Sequence, residues 1–377
     1  MSAKFPTPTA RAIAMYLPQF HPIPENDAWW GRGFTEWTNV SVTRPRFRGH
    51  HQPHVPADLG FYDLRLAQTR EAQAVLAREH GIHGFCYYHY WFHGERLLER
   101  PFDEVLNSGS PDFPFCLCWA NESWTRTWDG QEREILKKQE YSTQDHQRHI
   151  DWLMRAFRDE RYIRIDGMPL FVFWKLHAIP DAAAMIGMWR AEAARNGLPG
   201  LYLCAMRNGH TEGADAGLLR TGVDAIVNFQ PNWSSFPVSG NLVNRLAIAA
   251  KKILPTSLFQ FVGRHASASA IIDYAGIVDA SISRPQAENY TVHPCVFPSW
   301  DNSSRRKSAM IIQNDDPDKY QQWLEACIAA ARRNEPGRQL VFINAWNEWA
   351  EGCHLEPDRK NGRSFLLATA RALGLDK

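Results

Sequence analysis

Eight times along its 377 residues the chain passes from a short apolar run to a stretch whose apolar side chains recur at helical spacing. The predicted strands are Ala12–Leu17, Gly84–Trp91, Phe113–Trp119, Pro169–Trp174, Leu201–Met206, Ala225–Phe229, His293–Phe297 and Gln339–Trp346. The predicted helices are Leu66–His80, Glu99–Asn107, Asp145–Arg158, Asp181–Asn196 (with Asp181 as N-cap), Ala214–Arg220, Ile271–Ser283, Asp318–Arg333 and Phe365–Leu373. A helix after every strand returns the chain to the same end of the sheet, so neighbouring strands run parallel. Eight such units predict an α/β fold, a single (β/α)8 barrel of the TIM type with long βα-loops, covering residues 1–377 as one domain. The least regular part, about residues 231–270, is predicted to be an insertion in one of those loops.

Several function classes are disfavoured. The formal net charge is +1, which supplies no field for nucleic acid or an anionic membrane. No apolar run approaches the ~20 residues that span a bilayer, and the first residues lack the apolar core of a signal peptide. The expectation is a cytoplasmic protein without a transmembrane segment. The seven cysteines include no CxxC pair and read as reduced and buried. There is no P-loop, GxGxxG or GxSxG motif, so no cofactor is expected. No metal is expected either: HExxH is absent, and His50, His51 and His54 read as hydrogen-bonding loop residues.

In a barrel of this type, chemistry sits where strands end and βα-loops begin. The chain places its polar and aromatic residues there. Strand one is followed by Tyr16, Gln19, His21 and Trp30; strand two ends in Tyr88, His89, Tyr90 and Trp91. Strand three leads to Trp119, Asn121, Glu122 and Trp124, strand seven to Trp300 and Asp301, and strand eight to Trp346, Asn347, Glu348, Trp349 and Glu351. Indole stacks on the CH face of a sugar ring, while carboxylates and amides bind its hydroxyls. These residues are therefore the candidate contacts to an oligo- or polysaccharide. Fifteen tryptophans make the pattern conspicuous, though part of them must serve the core.

Glu348 and Glu351 form the sharpest pair. Two carboxyls three residues apart, on a segment passing from extended chain to turn, can converge on one ring. Glycoside chemistry needs two, one to protonate the departing oxygen and one to activate the attacking group. Repulsion between them, inside an aromatic frame, should raise one pKa. Glu122 is a rival acid.

The runs Tyr16-Leu-Pro-Gln-Phe-His21, Gly33-Phe-Thr-Glu-Trp-Thr-Asn-Val40, Trp119-Ala-Asn-Glu-Ser-Trp124 and Asn344-Ala-Trp-Asn-Glu-Trp-Ala-Glu-Gly352 resemble those of WbsX-type proteins, relatives of glycoside hydrolase family 99, the endo-α-mannosidases. The resemblance implies the same barrel. It also implies that Glu348 is the base on the sugar 2-hydroxyl and Glu351 the acid, then base, at the glycosidic oxygen. The path is retaining, through a 1,2-anhydro sugar, on α-mannose-like or α-rhamnose-like linkages of a polysaccharide. The WbsX branch is linked to glycosyltransferases of lipopolysaccharide O-antigen or capsule synthesis, so sugar transfer is the alternative activity. A glycan-binding barrel without catalysis is the non-enzymatic one.

Overall fold

The computed structural model describes residues 10–126, 131–207, 215–232, 269–284 and 288–375. Eight parallel strands form its centre: β1 (Arg11–Tyr16), β2 (Ile82–Phe92), β3 (Phe115–Trp119), β4 (Met168–Phe173), β5 (Tyr202–Arg207), β6 (Ala225–Asn228), β7 (Val292–Val296) and β8 (Leu340–Ile343). They pair in chain order, and β1 hydrogen-bonds to both β2 and β8, which closes the barrel. The crossover helices are α1 (Ala67–Glu79), α2 (Arg100–Ser108), α3 (Thr143–Phe157), α4 (Ala182–Arg195), α5 (Asp215–Arg220), α6 (Tyr274–Ser283), α7 (Pro317–Ala331) and α8 (Ser364–Ala372).

Each strand is apolar because both of its faces are covered, one by the barrel interior and one by helices. In β8 the run Leu-Val-Phe-Ile is buried throughout. All seven cysteines are buried and free. No helix among the described residues is long and apolar enough to cross a membrane. Most of the insertion expected over about 231–270 lies outside the described residues.

Three local expectations are corrected. The helix predicted from Ile271 starts at Tyr274, because Ala270–Asp273 pair as a strand with Met310–Gln313. The adjacent β-branched Ile271 and Ile272 suit that pairing. Asp273 then caps α6 by accepting from the Gly276 N–H. Asp181 stands at the N-cap position of α4 with φ 51°, and its side chain makes no cap hydrogen bond. Finally, β8 stops at Ile343, short of the predicted Trp346; the Trp346 N–H crosses instead to the Met15 carbonyl at 2.7 Å. From there the chain turns into the loop that carries the glutamates.

Candidate active site

A cleft of about 930 Å³ opens at the C-terminal end of the barrel. Its lining joins loops from distant parts of the chain. Gln19 and Trp30 come from the loop after β1, Tyr88 and Tyr90 from β2, and Glu122 and Trp124 from the loop after β3. Lys175, Trp300, Arg305, Glu348 and Glu351 complete the polar and aromatic wall.

The loop after β8 is held from several sides. Asn347 and Glu348 pair antiparallel with His354 and Cys353, and Trp349–Glu351 form one helical turn between them. The Asn347 side chain accepts from the Leu17 N–H at 2.8 Å and donates to the Leu17 carbonyl at 3.0 Å, locking the loop to the end of β1. The Trp349 indole donates to Glu356 at 2.7 Å. Gly352 closes the turn with φ 57°, where a Cβ would come within 2.9 Å of the Asp301 backbone nitrogen. That close approach lets the Asp301 N–H donate to the Glu351 carbonyl at 2.7 Å.

Between the two glutamates stands Arg305. Its Nη1 lies 3.3 Å from Glu348 and 3.0 Å from Glu351, and its Nη2 donates to Glu36 at 2.6 Å. Both glutamates meet one nitrogen, so the two oxygens that touch it can be no farther apart than those two distances laid end to end. Glu36 is fully buried and also accepts from the Ala350 N–H at 3.1 Å. One guanidinium thus faces three carboxyls.

The electrostatics follow from that count. Burial pushes Glu348 up to about 8, and Glu351 adds to the rise, while Arg305 opposes it. Glu351 is raised as well, first by burial, with Arg305 pulling down and Glu36 pushing up. Burial works against the charge of Arg305, but Glu36, Glu351 and Glu348 outweigh it and hold the guanidinium above its usual range. The glutamate pair therefore retains a proton near neutrality. Burial, then Glu348, raises the Tyr88 and Tyr90 hydroxyls, so both remain neutral donors beside the pair.

This has a consequence for stability. The folded protein keeps a proton on Glu348 that the unfolded chain releases at the ordinary carboxyl pKa, so stability falls as pH rises between that value and about 8. Glu348→Gln removes this dependence. The melting temperature of the variant should gain on that of the wild type from about pH 5 to about pH 9. A gap that stays constant across that range in thermal scans would contradict the raised carboxyl.

The residues predicted at strand ends divide by the two-residue period of a strand. Tyr88 and Tyr90 face the cleft. His89 and Trp91 point outward to α3, where the His89 and His149 Nε2 atoms are 2.9 Å apart and Trp91 donates to Asp145 at 3.1 Å. Trp119 sits in register with His89 and packs edge-on to His149. Tyr16 donates to Gln73 of α1 at 2.7 Å, and His21 is bound to the Pro18 carbonyl. Trp346, Asn347 and Trp349 are buried under the loop rather than in the cleft wall. Asp301 accepts from His50 and Gln52 at 2.6 Å each. Asn121 bonds the Lys175 backbone at both ends of its amide, and Lys175 pairs with Glu122 at 2.5 Å. Glu122, the rival acid, is therefore a cleft-wall ion pair rather than a partner of Arg305.

Two site residues escaped the sequence reading. Arg305 lies in Arg305-Arg306-Lys307, which reads as a solvated charge run, and Glu36 lies in a loop helix with no strand end to mark it.

Comparison with known proteins agrees with this architecture. The family model "Glycosyltransferase WbsX" matches residues 12–369. WxcX of Xanthomonas campestris pv. campestris, in two strains, is 41% identical over 367 residues, 97% of this chain. The chain spans about half the length of these curated relatives, 50% of each. Among solved structures, the GH99 endo-α-mannosidase of Bacteroides thetaiotaomicron superposes with a TM-score of 0.55 at 15% identity, covering 96% of both chains. A glycoside hydrolase-like protein superposes with a TM-score of 0.57 at 14% identity, covering 100% of this chain and 98% of the other. At those identities the likeness is one of fold. The match that runs through nearly every element of the barrel makes this chain a member of the WbsX glycosyltransferase family.

Proposed function

We propose that the chain is a glycoside-processing enzyme that uses Glu348 and Glu351 on α-manno- or α-rhamno-configured residues of a polysaccharide, with retention. The observation that carries this reading is the glutamate pair, Glu348 buried and Glu351 partly buried, in contact with one arginine in the lining of an aromatic cleft. Glu348 takes the proton of the sugar 2-hydroxyl as that oxygen attacks C1 from the face opposite the leaving group. Glu351 gives its proton to the departing oxygen, and a 1,2-anhydro sugar results. An acceptor hydroxyl then loses its proton to Glu351 and attacks C1, the C1–O2 bond breaks, and Glu348 returns the proton to O2. Two inversions give retention.

In the free site both carboxyls are raised, Glu348 to about 8, so the pair shares a proton. A sugar hydroxyl donating to Glu348 stabilises its ionised form and shifts the shared proton to Glu351, where the first step needs it. Backside attack by O2 requires O2 and the leaving group to be trans, which an α-mannoside and an α-rhamnoside meet and an α-glucoside does not. Water is the acceptor in the first reading, a glycoside hydrolase. The family name favours a second sugar as acceptor, a glycosyltransferase; the steps are the same and only the molecule that opens the anhydro ring differs.

The test is a matched pair of α-mannoside and α-glucoside, followed by NMR. The expected result is turnover of the α-mannoside alone, with the α-anomer as first product. Comparable turnover of the α-glucoside would overturn the reading.

A further inference from the structure

A second cluster of titratable groups lies outside the residues that line the cleft. His54 Nδ1 and His354 Nε2 are 2.9 Å apart, and the Asp358 carboxylate lies 4.0 Å from His354 Nε2. One donor atom of each falls within 4.8 Å of the other two, and all three residues are buried. The sequence placed His50, His51 and His54 among hydrogen-bonding loop residues. His50 is one, bound to Asp301. His54 is different, because its partners lie some three hundred residues further along the chain.

Two imidazole nitrogens that face each other share either a proton or a cation. The His354 ring is fixed on its other side. Its Nδ1 lies 2.9 Å from the Glu356 carbonyl, so it donates there and leaves Nε2 with a lone pair. The ring stacks on Trp349 with centroids 3.7 Å apart. Asp358 is also braced, since its Oδ1 accepts from the Asn361 N–H at 2.6 Å and its Oδ2 is the oxygen nearer His354. Close by, the His51 ring lies 5.1 Å from that of His54, and its buried Nε2 has no hydrogen-bond partner among the described residues.

A proton between His54 and His354 leaves the nearby Asp358 oxygen outside the pair; a shared cation employs it. The separations suit this. A tetrahedral zinc ion with bonds of roughly 2.0–2.1 Å holds its ligand atoms about 3.3 Å apart. The observed 2.9 and 4.0 Å bracket that value. Two imidazoles and a carboxylate are donors of the zinc class, and the outward bonds of His354 and Asp358 supply the outer shell that such ligands need.

We propose that His54, His354 and Asp358 bind one divalent ion of the zinc class, with water as fourth ligand, and that this ion clips residues 50–57 to the loop bearing Glu348 and Glu351. The two segments already meet through the Ala57 N–H to Pro357 carbonyl and Arg359 N–H to Val55 carbonyl bonds, each 2.9 Å. The ion stiffens that junction and, through the stacked Trp349, the turn that carries Glu351. Its role is structural.

The experiment uses untagged protein stripped with EDTA, incubated with Zn²⁺ and desalted, with zinc measured by plasma mass spectrometry in the wild type, His54→Gln and Asp358→Asn. About one zinc should remain per wild-type chain and far less in either variant. The stripped wild type should melt at a lower temperature and recover on addition of Zn²⁺, while neither variant responds. Co²⁺ in place of Zn²⁺ should give the visible absorption of a tetrahedral site in the wild type alone. The wild-type melting response decides the matter even where a variant fails to fold. Equal zinc in all three proteins, or a wild-type melting temperature indifferent to EDTA and Zn²⁺, would overturn the proposal.

Discussion

Glu351→Gln should lower turnover of a glycoside with an alcohol leaving group by about 100- to 10,000-fold, the contribution of a positioned general acid, and leave the fold intact. The amide fills the same space and its oxygen can still accept from Arg305 Nη1, which now contacts the carboxylate at 3.0 Å. The backbone bond from Asp301 to the residue 351 carbonyl does not depend on the side chain. What is lost is the proton for the departing oxygen. Initial-rate kinetics beside circular dichroism and a thermal scan separate the two effects. Full activity in a well-folded variant would remove Glu351 from the mechanism.

Arg305→Met should have the largest effect on stability. The Arg305 side chain is 14% exposed and faces Glu36, Glu348 and Glu351, with Glu36 fully buried. Without the guanidinium, three carboxyls crowd a space with no counter-ion. Breaking a buried pair by removing one partner costs about 3–5 kcal/mol, because the remaining charge is left uncompensated. Urea unfolding should therefore show a loss of that order at neutral pH. The loss should shrink in the double variant Arg305→Met/Glu36→Gln, which removes one of the stranded carboxyls. Activity should fall too, since Arg305 is what opposes the rise of both glutamate pKa values. A loss below about 1 kcal/mol would mean that the arginine behaves as an exposed surface ion.

The barrel was legible in the sequence because its signal is local. Eight apolar runs with helical stretches between them specify parallel closure before any contact is known. Glu348 and Glu351 were legible for the same reason, lying three residues apart at a strand end. The counter-charges were not. Arg305 and Glu36 are 269 positions apart, and only the meeting of the loops after β1 and β7 brings them together.

The strand-end aromatics were half legible. Polarity at the end of β2 marked the right place, but a strand presents alternate side chains to opposite faces, so Tyr88 and Tyr90 serve the cleft while His89 and Trp91 serve α3. The run Trp346-Asn347-Glu348-Trp349 behaves similarly. Asn347 and the indoles hold the loop, and the carboxyls project from it. The proximity of His54 and His354 was not legible, because 300 positions separate them.

The division of labour between the two glutamates is the centre of this account, and leaving-group dependence tests it most directly. Fluoride departs from C1 with little need of a proton, whereas a sugar alkoxide needs one. Single-turnover rates should be measured for wild type, Glu348→Gln and Glu351→Gln on α-mannosyl fluoride and on an α-mannoside with an alcohol leaving group. Glu351→Gln should be crippled on the alcohol donor and largely restored on the fluoride, while Glu348→Gln, which cannot activate O2, should be inactive on both. If the fluoride instead restores Glu348→Gln, or restores both variants equally, the assigned roles are wrong.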